Sequence, residues 1–361
     1  MSLQWVASFW PPSGADKTYE AMAMRTTTSE TAFPGDPLFS WAERLEIFYG
    51  QANPGECRLY VRLAGLEATD GWRLTGRVRG PECRYAQTLP ADYPLRSHEP
   101  GATLLAEAFI PDPCFWSAGL PQLYWATVEL VRDGKTCGSA TRMVGMRPLG
   151  ARGRSLYWEG KRWVLRGIVA GEVADSSAAE LNAWHNGPTA MLVDHPADEL
   201  CERASVDGVL IVARIGGPQE RLAAELGRLA QWPSVGLAIV DGIAAGVGAA
   251  RSNAAEVAGV DLTALRQLAR NILLAQFVAR GSGDNAVTPI AGAHAVVVEL
   301  DHPGAPAANS RDLAAMRQDC PVPLIAYRPA GPQSSVIAGR AACDLLQSDL
   351  APIGDFAGYI V

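Results

Sequence analysis

The feature that most constrains this chain is a series of eight uninterrupted apolar runs after residue 150. They are RWVLRGIVA, TAMLV, GVLIVA, VGLAIV, ILLAQFVA, AVVVEL, PLIAY and AGYIV, and helix-like segments such as PADELCERA and QERLAAELGRLAQW fall between them. A strand without polar alternation must be covered on both faces, as in a parallel sheet flanked by helices. Eight such strands are what a closed (β/α)8 barrel needs. A doubly wound open sheet explains the alternation equally well but has no requirement for eight. The sequence therefore predicts a compact (β/α)8 TIM-type barrel over residues 150–361.

Residues before 150 follow another rule. RLEIFYG (44–50), CRLYVRLAGL (57–66), GWRLTGRVRG (71–80), ATLLAEAFI (102–110) and LYWATVELVRD (123–133) are short and bounded by Gly, Pro and Asp. Leu74, Gly76 and Val78 alternate with Arg73, Thr75 and Arg77, the period of a half-buried strand. This spacing predicts an immunoglobulin-like β-sandwich over residues 1–149. Residues 1–20, with Trp5, Phe9 and Trp10, are expected to be extended and to drape over another surface.

Composition narrows the partners. The chain has 361 residues, 48% of them hydrophobic, which suits two cores better than one. Its net charge is −7 and its 31 basic residues are scattered, so neither nucleic acid nor a membrane surface is an expected partner. No apolar run reaches membrane-spanning length and the N-terminus lacks a secretory signal pattern, which predicts a cytoplasmic protein. Seven cysteines show no CxxC or zinc spacing, so no metal site is expected. No cofactor is expected either. DGIAAGVGAARSNAAE (241–256) holds Gly246 and Gly248, but Arg251 stands where a dinucleotide fingerprint needs a third glycine, and no Walker or Gly-x-Ser-x-Gly motif occurs.

Four segments, in order, carry a family resemblance. They are DPCFWSAGLPQLYWATVEL (112–130), VGMRPLGARGRSLYWEGKRWVLRGI (144–168), LVDHPADELCERASVDGVLIVARI (192–215) and WPSVGLAIV (232–240). The first resembles the "Trp-Ser-Pro … Pro-x-Leu-Tyr" passage of glycoside hydrolase family 2, the β-galactosidase and β-glucuronidase group. The second is similar to that family's "Gly-Phe-Arg … leu-arg-Gly" passage into the barrel. The third and fourth resemble its passage from strand two to three and its strand four. The resemblance implies two carboxyl groups roughly 5–5.5 Å apart, an acid/base after strand four and a nucleophile after strand seven. Here Asp241 is followed by Gly242 and Ile243, and VPLIAYRPAG (322–331) offers Tyr327, Arg328 and Pro329. The chain is therefore similar to a degenerate member without either catalytic glutamate. It also ends at Val361, with the eighth run, so the flank a last helix would cover is expected to meet the N-terminal segment or a partner chain.

The candidate residues follow from barrel geometry, in which active sites lie at strand C-termini. Asp241 and Glu299 are the candidate catalytic carboxylates, with Asp301 and Glu172 nearby; the structural alternative pairs such acids with Arg166, Arg214 and Arg328. His195, matching the family's histidine after strand two, with Asp194, Arg328 and Trp184, makes up the expected substrate-binding set. His294 and His302 are expected to be polar loop residues, and Trp158, Trp163 and Trp232 to pack at the junction and on helices. The C-terminal helix is expected to place Arg340, Asp344, Gln347 and Asp349 on one side and Ala341, Leu345 and Leu346 on its apolar side. Three functions result. The leading one is a pseudoenzyme whose barrel mouth or sandwich face recognises a carbohydrate or another protein. The second is an active glycosidase using relocated carboxylates Asp241 and Glu299, and the third is a structural subunit docking a partner at the open flank.

Overall fold

The computed structural model describes residues 26–28, 41–66, 70–98, 103–170, 178–185, 187, 189–241, 260–279, 288–300, 310–329, 333 and 335–361. Residues 1–20 lie outside the described residues. The first part is antiparallel: β1 (Thr26–Thr28), β2 (Leu45–Asn53), β3 (Glu56–Leu63), β4 (Trp72–Glu82), β5 (Ala91–Ser97), β6 (Leu104–Pro111), β7 (Trp116–Ser117), β8 (Leu120–Pro121), β9 (Leu123–Arg132) and β10 (Lys135–Val144). All except the short β7–β8 pair join one sheet in the order β1-β10-β9-β4-β5-β6-β3-β2. β5 serves both layers, pairing with β4 through residues 91–95 and with β6 through Arg96 and Ser97. The sheet thus folds over itself as the expected β-sandwich. On β3, Cys57, Leu59, Val61 and Leu63 turn inward, and Ala106, Ala108 and Ile110 of β6 and Val128 and Leu130 of β9 meet them in one core.

A three-stranded sheet, β11 (Leu149–Arg152), β12 (Ser155–Trp158) and β13 (Lys161–Trp163), leads into the second part. There β14 (Leu165–Val169), α1 (Ala178–His185), β15 (Ala190–Asp194), α2 (Asp198–Asp207), β16 (Ile211–Gly216), α3 (Gln219–Leu229), β17 (Val235–Asp241), α4 (Leu262–Leu268), β18 (Leu273–Val278), β19 (Ala295–Glu299), α5 (Ser310–Asp319), β20 (Leu324–Tyr327), α6 (Val336–Leu350) and β21 (Gly358–Ile360) follow. β14 to β21 form a closed parallel barrel, with β14 pairing both β15 and β21. Closure rules out the open doubly wound sheet.

The uninterrupted apolar runs now have their cause. Leu192, Val212, Ile239, Ala275, Val297 and Ile325 fill the lumen, while their strand neighbours Met191, Ala213, Ala238, Val240 and Leu274 pack outward under the helices. Gly339 lets α6 press on the barrel, since a Cβ there would fall 2.6 Å from Ile168 Cδ1. The apolar side of α6 is Gly339, Cys343, Leu346 and Leu350; Ala341 and Leu345 face out, which corrects the face expected from the sequence. Among the described residues no helix is long and apolar enough to cross a membrane.

The sandwich and the barrel are joined around Arg147, which is 3% exposed. Its guanidinium donates to the carbonyls of Pro233, of Val235 at 2.6 Å and of Asn271 at 2.8 Å, all near the starts of β17 and β18. Its own backbone is gripped from the sandwich. Tyr49 Oη donates to Arg147 O at 2.6 Å and accepts from Arg147 N at 3.1 Å. The guanidinium also lies over Trp116, 5.8 Å from the ring centre. Trp116 is fully buried, its Nε1 donating to Ser205 O at 2.8 Å and its backbone N–H to Met146 O. Burial pulls the Arg147 guanidinium below its ordinary value and pushes the Tyr49 phenol above its own.

Replacing Arg147 by Met would leave three buried carbonyls without their donor. Leaving a buried acceptor without its donor costs on the order of 1–3 kcal/mol. Chemical denaturation of Arg147→Met should show a loss of that size, and a loss below about 1 kcal/mol would contradict the clasp.

Candidate functional site

The mouth of the barrel follows from the period-two alternation of its strands. The lumen residues of β15 to β20 sit one step below a second ring, reached by moving two residues along each strand. That ring comprises Asp194, Arg214, Asp241, Phe277, Glu299 and Tyr327. All lie at C-terminal strand ends, where barrel enzymes place their chemistry.

Arg214 organises the ring. Its Nε lies 3.0 Å from Asp241 Oδ2, Nη2 reaches the same oxygen, and the guanidinium lies 4.8 Å from the centre of the Phe277 ring. Phe277 meets Tyr327 edge to face at 6.0 Å. Burial would pull Arg214 down, but the bond and charge of Asp241, with Asp194 and Tyr327 adding, hold it above its ordinary value. Burial pushes the Tyr327 phenol up; Arg214 opposes this, and Glu299, Asp194 and Asp241 reinforce it. Tyr327 and Glu299 are also register partners across β19 and β20. The ring therefore offers one paired cation, three carboxylates and a protonated phenol, a set suited to hydrogen-bonding hydroxyl groups.

The expected site residues divide. Asp194, Asp241 and Glu299 come together in the ring. His195 does not join them: its backbone takes a positive φ of 47°, and Nδ1 lies 2.8 and 3.0 Å from the Glu225 carboxylate of α3. Arg328 falls one residue past Tyr327 and so turns to the helix layer, where Nη1 meets Asp349 Oδ2 of α6 at 2.7 Å. It does not stand in the mouth with the expected substrate-binding set. Trp184 is half-buried on α1, packed against the layer between barrel and helices, and does not form an exposed platform. Glu172, Gly242, Ile243, Gly246, Gly248, Arg251, Asp301 and His302 lie outside the described residues. Among the described residues no group of three or more His, Cys, Asp and Glu could hold a metal ion.

Three ring members, Arg214, Phe277 and Tyr327, are not among the functional residues expected from the sequence. Arg214 had been considered only as a pairing partner, and Phe277 looked like one more apolar strand residue. The available signal was their place two residues beyond a lumen position in GVLIVARI and ILLAQFVA. His294 differs from the polar loop residue expected. It is half-buried, and its Nδ1 accepts the Leu274 N–H at 3.0 Å, tying β18 to the start of β19.

A β-sandwich leading into a (β/α)8 barrel is an architecture shared with solved β-glucuronidases and β-galactosidases. Solved structures bear this out at the level of fold. The β-glucuronidase of Parabacteroides merdae superposes with a TM-score of 0.57 at 12% identity, over 88% of this chain and 46% of that one. The β-D-glucuronidase of Dictyoglomus thermophilum gives 0.57 at 13%, over 88% and 61%. A putative β-galactosidase from Bacteroides fragilis gives 0.56 at 14%, over 88% and 54%. The chain thus spans about half the length of the solved structures it matches. No model of a known protein family matches the chain, and no curated protein does.

His294 supplies a pH test of this part of the barrel. Burial, helped by the Arg266 charge, pushes its imidazole down to about 4, against roughly 6.5 in an unfolded chain. The folded state binds this proton less readily, so the stability is full above about pH 6.5 and is lost as pH falls toward 4. Between pH 7 and 5 this amounts to about 2 kcal/mol at 1.4 kcal/mol per unit. His294→Asn should flatten the decline of unfolding free energy over that interval by this amount. An unchanged slope would show that His294 is not the group responsible.

Proposed function

We propose that this chain is a glycoside-hydrolase-like protein that binds a saccharide at its barrel mouth and does not hydrolyse it by the retaining two-carboxylate route. The observation that carries this reading is the Arg214–Asp241 pair at the end of the fourth barrel strand, set against Tyr327 at the end of the seventh. Retention needs a free carboxylate as nucleophile and a second carboxyl group that exchanges a proton. Asp241 Oδ2 is taken up by both Nε and Nη2 of Arg214, so that oxygen is engaged in an ion pair and turned away from a substrate's leaving group. A phenol pushed above its ordinary value stays protonated at neutral pH and is a poor nucleophile.

The described ring carries one cation against three carboxylates, so a neutral or amino sugar suits it better than a uronic acid. Asp194 and Glu299 would accept from sugar hydroxyls, and the Tyr327 phenol would donate.

A panel of nitrophenyl glycosides and a glycan array test this together. The expected result is no turnover on any sugar and saturable binding of a neutral saccharide, weakened about tenfold by Glu299→Gln or Tyr327→Phe. Turnover abolished by Asp241→Asn, Glu299→Gln or Tyr327→Phe would instead support the rival reading, an active glycosidase with relocated groups.

One observation favours a second reading, a structural subunit. α6 presents Ile337 and Leu345, 82% and 67% exposed, two turns apart and with exposed Ala341 between them. If that stripe docks a partner or a second copy, Ile337→Ser with Leu345→Ser should abolish association in sedimentation runs and leave saccharide binding intact.

A further inference from the structure

The opposite end of the barrel, where the strands begin, holds a second hollow of about 540 Å³. The β12–β13 hairpin, the stretch at Ser117 and Ala118, the end of α1 and the starts of β14 and β15 enclose it. Two indoles, Trp158 and Trp163, form part of the wall and meet edge to face at 5.4 Å. At the rim Lys161 and Arg162 stand exposed, Arg162 paired with Asp355 Oδ2 at 3.3 Å, and Glu159 is the one acid among the lining residues. Packing of Trp158 against Trp116, at 6.4 Å, accounts for one face of one ring but not for the hollow beside them.

Deeper in the wall are two polar groups with unused capacity. The Arg166 side chain is 10% exposed. Nε meets Asp344 Oδ1 at 3.0 Å, Nη2 meets Gln347 Oε1, and the guanidinium lies 5.0 Å from the Tyr359 ring centre, which leaves Nη1 buried with no partner. Thr189 is 4% exposed and its hydroxyl has no partner either. A buried polar group left without a partner is costly, and such groups are rarely left so. His185, by contrast, is fully engaged: its Nδ1 lies 2.8 Å from Asp207 O and its ring stacks on Tyr85 at 3.8 Å.

A guanidinium N–H and a hydroxyl are both satisfied by an oxyanion, and a planar carboxylate matches the guanidinium edge. Lys161 at the rim favours approach of an anion, whereas Arg162 is already paired with Asp355. A bare anion would leave the two indoles idle, whereas a ring attached to the carboxylate would cover them. We propose that this hollow binds a small carboxylate carried on a six-membered ring, at a site separate from the barrel mouth. Arg166 and Thr189 hold the carboxylate, Trp158 and Trp163 take the face of the ring, and Lys161 guides it in. An aromatic acid and a sugar acid share this chemistry. The reading is independent of the saccharide proposed for the mouth.

Calorimetric titration of the whole chain with benzoate and with glucuronate, beside glucose and inorganic phosphate, decides it. At least one acid should saturate the protein with a Kd of about 1 mM or tighter, while glucose and phosphate do not. Thr189→Val, which keeps the side-chain shape, should weaken that acid tenfold or more, Trp163→Leu should weaken it as well, and Lys161→Ala should weaken it less. Arg214→Gln in the mouth should leave it unchanged. Saturation by benzoate alone would identify an aromatic acid, and by glucuronate alone a sugar acid. The proposal fails if neither acid binds at about 20 mM, if Thr189→Val and Trp163→Leu both bind like the parent chain, or if phosphate binds as tightly.

Discussion

Arg147 ties together three pieces of backbone far apart in sequence. Its side chain collects carbonyls from the starts of β17 and β18, its backbone is held by Tyr49 of β2, and its guanidinium covers Trp116. Both terminal nitrogens of the guanidinium meet carbonyls of fixed position, so a shift of the sandwich against the barrel would break those bonds. Gly145 belongs to the same joint, because a Cβ there would lie 2.6 Å from Pro233 Cβ. The most family-like words in the sequence, around Trp116 and Arg147 and at Trp232–Val235, therefore describe a joint between domains. They say nothing about bond cleavage.

This separation means that side chains at the mouth can vary without disturbing the joint. The joint lies at the end of the barrel where strands begin, and the ring of Asp194, Arg214, Asp241, Phe277, Glu299 and Tyr327 lies where they end. Several lumen residues, among them Val212, Ile239, Val297 and Ile325, stand between the two. Changing a strand-end side chain costs the barrel little, since the ring is partly solvated: the Arg214 and Asp241 side chains are 29% and 36% exposed. An exposed pair of this kind adds on the order of 0–1 kcal/mol to stability, so its importance lies in the charge it sets at the mouth.

Much of the architecture was legible because burial leaves a simple pattern. Strands covered on both faces read as VGLAIV or AVVVEL, and all eight appeared. Strands lying outside that pattern did not. ADYPLRS, which became β5, contains Pro94 and buries only Leu95 fully, because it sits where the sheet changes layers. KTCGSATRMV, which became β10, turns small Gly138 and Ala140 inward, so alternation of large apolar residues could not announce it. At the site, Asp194, Asp241 and Glu299 were legible from strand-end position alone. His195 and Arg328 were misjudged through one-residue geometry: one sits at a left-handed backbone position and turns to α3, the other falls on the outward step of β20. Local matching to a motif fixes where a residue lies along the chain but not which side of a strand it faces.

The account stands or falls on whether a nucleophilic carboxylate works at the mouth. Intact-protein mass spectrometry after incubation with a panel of activated 2-deoxy-2-fluoro glycosides, which trap the covalent intermediate of retaining enzymes, addresses this directly. With Asp241 held by Arg214 and Tyr327 kept protonated, the mass should remain that of the unmodified chain for every sugar. A stoichiometric gain of one fluoroglycosyl unit, mapped to Asp194, Asp241, Glu299 or Tyr327, would contradict it.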